Sequence, residues 1–294
     1  MRACNIAADF SFVMEGNRIQ SARVKTNDFF TLWPSWHNHT GAGGRFSYCA
    51  DPKISFSTYL DELKRPETHF SVFAITEHAY SMVSPVSNEA WPSVWFDKPE
   101  ILEKNKDFII NKMTLLLEEG KKYRDGVHVF QGLEVELDSR GKPAVPEEMI
   151  WKMDVVIGSV HFNPGPEEDW IERHFERLNA LARFPFDIIG HPVRHLGSHS
   201  TRENPLPEHV ISGTLDILEK NGIALEVNSH VMQIQDDSRL LSGAVERKVP
   251  VAFSLDMHTP DEFDKWTYFK NVVEESKVNP ADIILFKPDS RRHG

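Results

Sequence analysis

Two short segments carry pairs of metal-capable side chains spaced two residues apart: His37 and His39 in WHNHT, and Asp256 and His258 in LDMH. Each pair closes a run of β-forming residues. On a strand, residues two apart project from the same face, so both members of a pair can address one point. Imidazole nitrogens together with carboxylate oxygens are the donor set of a divalent ion such as zinc, manganese or iron. One such pair among 14 histidines decides nothing. The same placement recurs, however: His78 ends ITEH, Glu134 sits in GLEVE, His161 ends GSVH and His191 sits in IGHP. Collecting these groups at one buried mouth without ions would leave polar atoms unpartnered and charges uncompensated, which is costly. Bound cations remove that cost.

The elements that must position these residues form a repeat. Seven apolar, β-rich runs span residues 29–39, 70–78, 127–136, 153–161, 186–192, 222–228 and 249–258, and six of them end in a potential ligand. Helix-like stretches separate them. One runs through PEILEKNKDFIINKMTLLLEEGKKY with Pro99 in its first turn; others are residues 167–182 and EHVISGTLDILEKNG, which stops on Gly222. Strands alternating with helices imply parallel pairing. An open doubly wound sheet and a closed barrel both satisfy the alternation. Ligands at nearly every strand end favour the barrel, because closure gathers those ends around one mouth whereas an open sheet spreads them in a row. The expected fold is α/β, a distorted (β/α)7 barrel over residues 29–294. Residues 1–28 stand outside the repeat, and a Gly16-Asn17 turn between two alternating runs reads as an added β-hairpin. Residues 79–96, rich in Pro, Ser and Trp, read either as a lid or as a surface loop that packs its tryptophans on the rim.

Composition narrows the class. A net charge of -11 disfavours nucleic acid as a partner and favours a small substrate. Two cysteines cannot build a disulfide framework, and no window is apolar for long enough to span a membrane, so a cytoplasmic setting is expected. Oligomeric state is not legible.

Taken in order, HNH, TEH, GLEVE, GSVH, GHP, LEVN and LDMH resemble the polymerase and histidinol phosphatase (PHP) family, and IGSVHF with FDIIGHP is most similar to its histidinol-phosphatase-like branch. The resemblance covers roughly residues 36–260. It implies a distorted seven-stranded barrel, two or three divalent ions and hydrolysis of phosphate esters. It also implies that His37, His39, Glu134 and Asp256 hold a first ion, that Glu134 bridges to a second on His161 and His191, and that a third takes His78 and His258. The family's remaining ligand would fall at Arg45, a guanidinium that cannot bind a cation. Arg45 can instead neutralise substrate phosphate, or it is a solvated loop residue.

In that setting, paired ions activate a shared water for in-line attack at phosphorus, with Glu134 as bridge and Asp256 orienting the nucleophile. His195 is a candidate donor to the leaving alkoxide. Arg194 is a second phosphate-binding candidate or a rim salt-bridge partner. Glu136 and Asn228 should face the cavity, Glu136 either recognising a cationic amino alcohol phosphate or bracing a ligating histidine. Two further readings stand beside a small-molecule phosphoesterase: a metal-dependent hydrolase of non-phosphate bonds, and a degenerate metal-binding module.

Overall fold

The computed structural model describes residues 10–15, 18–24, 32–41, 46–125, 128–199, 205–230 and 232–288. Strands β1 (Phe10–Glu15) and β2 (Arg18–Val24) pair antiparallel as a hairpin. The Gly16-Asn17 turn between them lies outside the described residues.

Seven strands follow: β3 (Trp33–Ser35), β4 (Phe70–His78), β5 (Val129–Val135), β6 (Val155–Gly158), β7 (Ile188–Ile189), β8 (Ala224–Asn228) and β9 (Val251–Ser254). They pair in chain order, every pair parallel. The last strand returns to the first: Trp36 N donates to Phe253 O at 3.0 Å, Asp256 N to His37 O at 2.8 Å and His39 N to Met257 O at 3.2 Å. Asn38 and Met257 form a parallel bridge there. The sheet is therefore a distorted (β/α)7 barrel rather than an open row, and all strand C-termini share one mouth.

Strand parity builds two layers. Ala74, Val155, Ile157, Ile188, Ala224 and Ala252 form a small apolar cluster with Trp36 and Phe286. The alternate residues, among them Phe73, Leu133, Val156, Leu225 and Phe253, join the large core shared with the surrounding helices. Further along the first parity, β5 reaches Glu134, β8 reaches Glu226 and Asn228, and Asp256 lies just beyond β9. The polar site thus stands on an apolar plug. Gly132 shares this parity, two residues before Glu134, and a Cβ there would meet Thr76 Cγ2 and Val155 O, each at 2.5 Å, so the position suits glycine.

The outer layer follows the sequence pattern with one correction. The helix expected from Pro99 onward is two, Glu100–Lys104 and Lys106–Gly120. The break falls at Asn105, whose side chain donates to Val83 O at 2.9 Å and so ties the helix start to the loop after β4. Helix Trp170–Leu181 follows a short 3-10 turn, and helix Glu208–Asn221 ends on Gly222 at φ 65°, a left-handed stop that glycine takes without Cβ strain. Of residues 79–96, Tyr80, Met82, Trp95 and Phe96 are buried while Trp91 is 42% exposed and stacks on Tyr80. That is a packed rim segment.

Candidate metal centre

Glu134 is the centre of the site. It ends the inward parity of β5, is buried, and turns its two oxygens to different neighbours. Oε2 lies 3.2 Å from His37 Nε2, 3.7 Å from His39 Nε2 and 2.5 Å from His78 Nδ1. Oε1 lies 3.3 Å from His161 Nε2 and 3.1 Å from His191 Nε2. Asp256 joins the first set, its Oδ1 standing 3.0 Å from His39 Nε2 and 3.7 Å from His37 Nε2. His258 closes the cluster at the mouth, with Nε2 3.3 Å from His78 Nε2. The structure thus brings together all eight side chains singled out for metal. Among the described residues, four triads have donor atoms close enough to share an ion, three of them drawn from these eight: His37, His39 and Asp256; His78, Glu134 and His161; and His39, His78 and His258; the fourth is His230, His258 and Glu262.

Both two-apart pairs sit just past their strands. His37 and His39 follow β3, Asp256 and His258 follow β9, and the closing hydrogen bonds hold both extensions. Asn38, between the two histidines, faces away and binds Ser35 O and Ala74 O. Asp256 at φ 53° and His191 at φ 28° are left-handed non-glycine residues. Such conformations are held against their intrinsic preference, and here each aims a donor into the cluster.

The histidines are oriented from behind. His37 Nδ1 lies 2.8 Å from Glu226 Oε1, so against this carboxylate it is the donor and Nε2 is left to face the cluster. Glu136 does the same for His161, accepting from its main-chain N at 2.8 Å and from Nδ1 at 2.5 Å. Asp256 O holds His258 Nδ1 at 2.7 Å. Asn228 donates to Glu226 at 3.0 Å and to Asp256 at 3.2 Å, linking two of the acids. Arg194 Nη1 meets Asp256 Oδ2 at 3.0 Å with its side chain partly exposed. Arg45 lies outside the described residues.

The electrostatics are those of a crowded, buried cluster. Burial lowers the His37 pKa, but the facing carboxylates of Glu134, Asp256 and Glu226 outweigh it and hold the imidazole well above its usual range. Burial pushes His39 down to about 3. Glu134 is opposed by burial, yet His37, His161 and His78 together hold it well below the usual carboxylate range. His195 stands apart from the cluster. Its Nε2 meets His174 Nδ1 at 3.2 Å, His174 in turn meets Thr214, and burial keeps the His195 pKa well below 6.5. A protonated His195 is therefore disfavoured in this arrangement.

Three contributors are not among the residues that sequence pattern singles out. Glu226 does carry a signal in its parity, since it precedes Asn228 by two on β8. Glu77, buried beside His78, accepts from Thr40 N, Thr40 Oγ1 and Ser47 Oγ, bracing the turn after His39, and burial pushes its pKa up to about 7. Glu262 accepts from the main-chain N of His258 and from His230 Nδ1, and no strand pattern marks it.

The donor set fits divalent ions. His37 Nε2, His78 Nδ1 and Glu134 Oε2 are buried and make no hydrogen bond of acceptable geometry, although they crowd to within 3.2 Å of the shared carboxylate oxygen. Atoms packed this way without hydrogen bonds are what cations reconcile.

A family model for the PHP domain matches residues 37–230, which contain six of the eight converging side chains. The chain belongs to the PHP domain family. Within it, this PHP domain is 27% identical over 169 residues to a probable phosphatase of Caldanaerobacter subterraneus subsp. tengcongensis, a match covering 55% of the chain and 62% of that protein. It is 23% identical over 177 residues to the DNA polymerase/3'-5' exonuclease PolX of Bacillus subtilis, covering 56% of the chain and 30% of PolX. The chain therefore matches less than two thirds of the length of these curated relatives. Among solved structures, histidinol phosphate phosphatase from Lactococcus lactis subsp. lactis, complexed with Zn, L-histidinol and phosphate, superposes with a TM-score of 0.52 at 16% identity, covering 88% of this chain and 99% of that one. The likeness is one of fold. No helix among the described residues is long and apolar enough to cross a membrane.

Proposed function

We propose that this PHP domain is a metal-dependent phosphoesterase acting on a small-molecule phosphate ester. The observation that carries the reading is the division of Glu134: one oxygen faces His37, His39 and His78, the other His161 and His191, while Asp256 meets the same His37 and His39. A carboxylate so divided could serve two cations, which His37, His39 and Asp256 on one side and His161 and His191 on the other would hold, with His78 and His258 offering a further position. The chemistry such ions supply when bound is Lewis-acid polarisation of a phosphoryl oxygen and activation of water.

The chain's own residues prepare the rest. Glu226 and Glu136 fix the tautomers of His37 and His161, so each presents Nε2 inward. Asn228 holds Glu226 and Asp256 in register. Arg194 uses one nitrogen on Asp256 and reaches the mouth with donors to spare for phosphate oxygens. Glu136 is already engaged by His161, which favours a bracing role for it over recognition of a cationic substrate.

Two features support a small substrate. The net charge of -11 repels polyphosphate backbones, and the donors lie in a buried mouth rather than along an open groove. The test joins elemental analysis of the purified protein to a screen of phosphate esters that includes histidinol phosphate, with amide substrates as contrast. At least two zinc, manganese or iron ions per chain, and phosphatase activity abolished in Glu134→Gln, are expected. Amide hydrolysis without phosphatase activity would overturn the reading.

A further inference from the structure

Beside His161 a narrow crevice opens between the end of β6 and helix Trp170–Leu181, bordered by Phe96, Glu136, Ser159, Phe162 and Arg177. We propose that this crevice is a subsite for a carboxylate carried by the substrate's alcohol portion and that Arg177 recognises it. The inference rests on the phosphoesterase reading, because His161 is shared by the crevice and the metal centre.

Arg177 is the reason. Its guanidinium carbon stands over the Phe96 ring, 4.2 Å from the ring centroid, a cation–π contact that holds the group beside the crevice. Among the described residues it has no ion pair or hydrogen bond, and its side chain is half-buried. Four carboxylates act on it: Glu176 and Asp97 are exposed to solvent, which screens them, and the other two are already committed. Glu136 is held by His161, and Asp138 accepts from Arg140 Nε, Arg140 Nη2 and two main-chain nitrogens. Burial lowers the Arg177 pKa, so an anion brought into the crevice meets a poorly hydrated cation. A second unspent group lies alongside: Ser159 borders the crevice, and its buried Oγ, beside Gly190, has no hydrogen-bond partner among the described residues.

A guanidinium with a free fork and a nearby hydroxyl match a planar, two-oxygen anion better than a spherical or cationic group. The aromatic ring of Phe162, packed edge-on against Phe96 at 5.5 Å, bounds the crevice and excludes bulk. The ester selected is thus a short phosphomonoester with a carboxylate at its far end.

The test compares phosphoglycerate with glycerol phosphate, which share a three-carbon frame and differ in the carboxylate. The wild-type, metal-loaded protein should favour phosphoglycerate, and in Arg177→Met the ratio of kcat/KM for the two esters should fall at least about tenfold through KM, as for loss of one charge-assisted pair. Arg177→Lys should restore part of the preference. A purely structural role would slow both esters alike and leave the ratio unchanged, which overturns the proposal. Calorimetric binding of glycerate tests the crevice apart from hydrolysis. Glycerate bound by the wild type and lost in Arg177→Met supports the subsite even if neither ester turns over, an outcome that would count against the phosphoesterase reading alone. Equal glycerate binding by both proteins overturns the subsite.

Discussion

The main-chain nitrogen of Asp256 donates to the carbonyl oxygen of His37 at 2.8 Å, one of the hydrogen bonds that close the barrel. The same bond sets the distance between the two donor pairs, since it brings Asp256 Oδ1 within 3.7 Å of His37 Nε2 and 3.0 Å of His39 Nε2. Closure and site assembly are one event in this fold. Loosening the seam between β3 and β9 should therefore weaken metal binding before it unfolds the outer helices.

Glu226 acts on the metal centre without facing it. Its Oε1 holds His37 Nδ1 at 2.8 Å and its Oε2 accepts from the main-chain N of His191 at 2.5 Å. Glu226→Gln should lower metal affinity by roughly 10- to 100-fold, the usual cost of losing a carboxylate behind a ligating histidine. Competition with a chelator of known affinity measures it, and an unchanged constant would remove Glu226 from the centre.

His161 predicts the pH response of the metal-free protein. Burial lowers its pKa, but Glu134 and Glu136 outweigh this and raise it to about 9. A histidine raised on folding binds its proton more tightly in the folded state, so its stabilising contribution is full below about 6.5 and is lost as pH rises through about 9. Metal binding must displace that proton, so affinity should climb across the same window. Thermal melts of chelated and metal-loaded protein between these pH values should diverge with rising pH; parallel curves would exclude His161 as the proton site.

Asp237 offers a test remote from the centre. It is buried on helix Ile234–Arg247 and accepts from Tyr268 Oη, and burial raises its pKa to about 8. An acid raised on folding favours the protonated folded state, so stability is full below the usual Asp range near 4 and declines as pH rises toward 8. Asp237→Asn mimics the neutral acid. It should leave stability near pH 3 almost unchanged and add on the order of 1–3 kcal/mol near pH 9. Chemical denaturation at both pH values decides, and an equal effect at each would contradict a buried titrating acid.

Gly222 tests the outer layer. It ends helix Glu208–Asn221 at φ 65° with open space where a Cβ would stand. Gly222→Ala should cost about 1 kcal/mol from backbone strain alone, with metal content unaltered. A loss of bound metal in this variant would show that the helix end is coupled to the mouth.

Much of this arrangement is legible in the amino-acid sequence alone. The alternation of β-rich runs with helical stretches implies parallel strands, and ligand-type residues at six run ends imply a shared mouth, because the side a residue takes on its strand is set by local pattern. Glu134, at the last inward position of β5, follows from period two. Tertiary structure decided what period two could not reach. His37, His39, Asp256 and His258 lie past their strands, and their aim depends on bonds between the extensions of β3 and β9, which most of the chain separates. Glu226 and Glu77 act through partners 189 and 37 residues away, a pairing that no local spacing encodes, whereas Glu262 reaches His258 from four residues on, within a Thr259-Glu262 capping box. His195 shows the reverse case, near the site in sequence but turned to His174 on a neighbouring helix. Local pattern sets which face a side chain leaves its strand on; only closure of the barrel sets which other faces it meets.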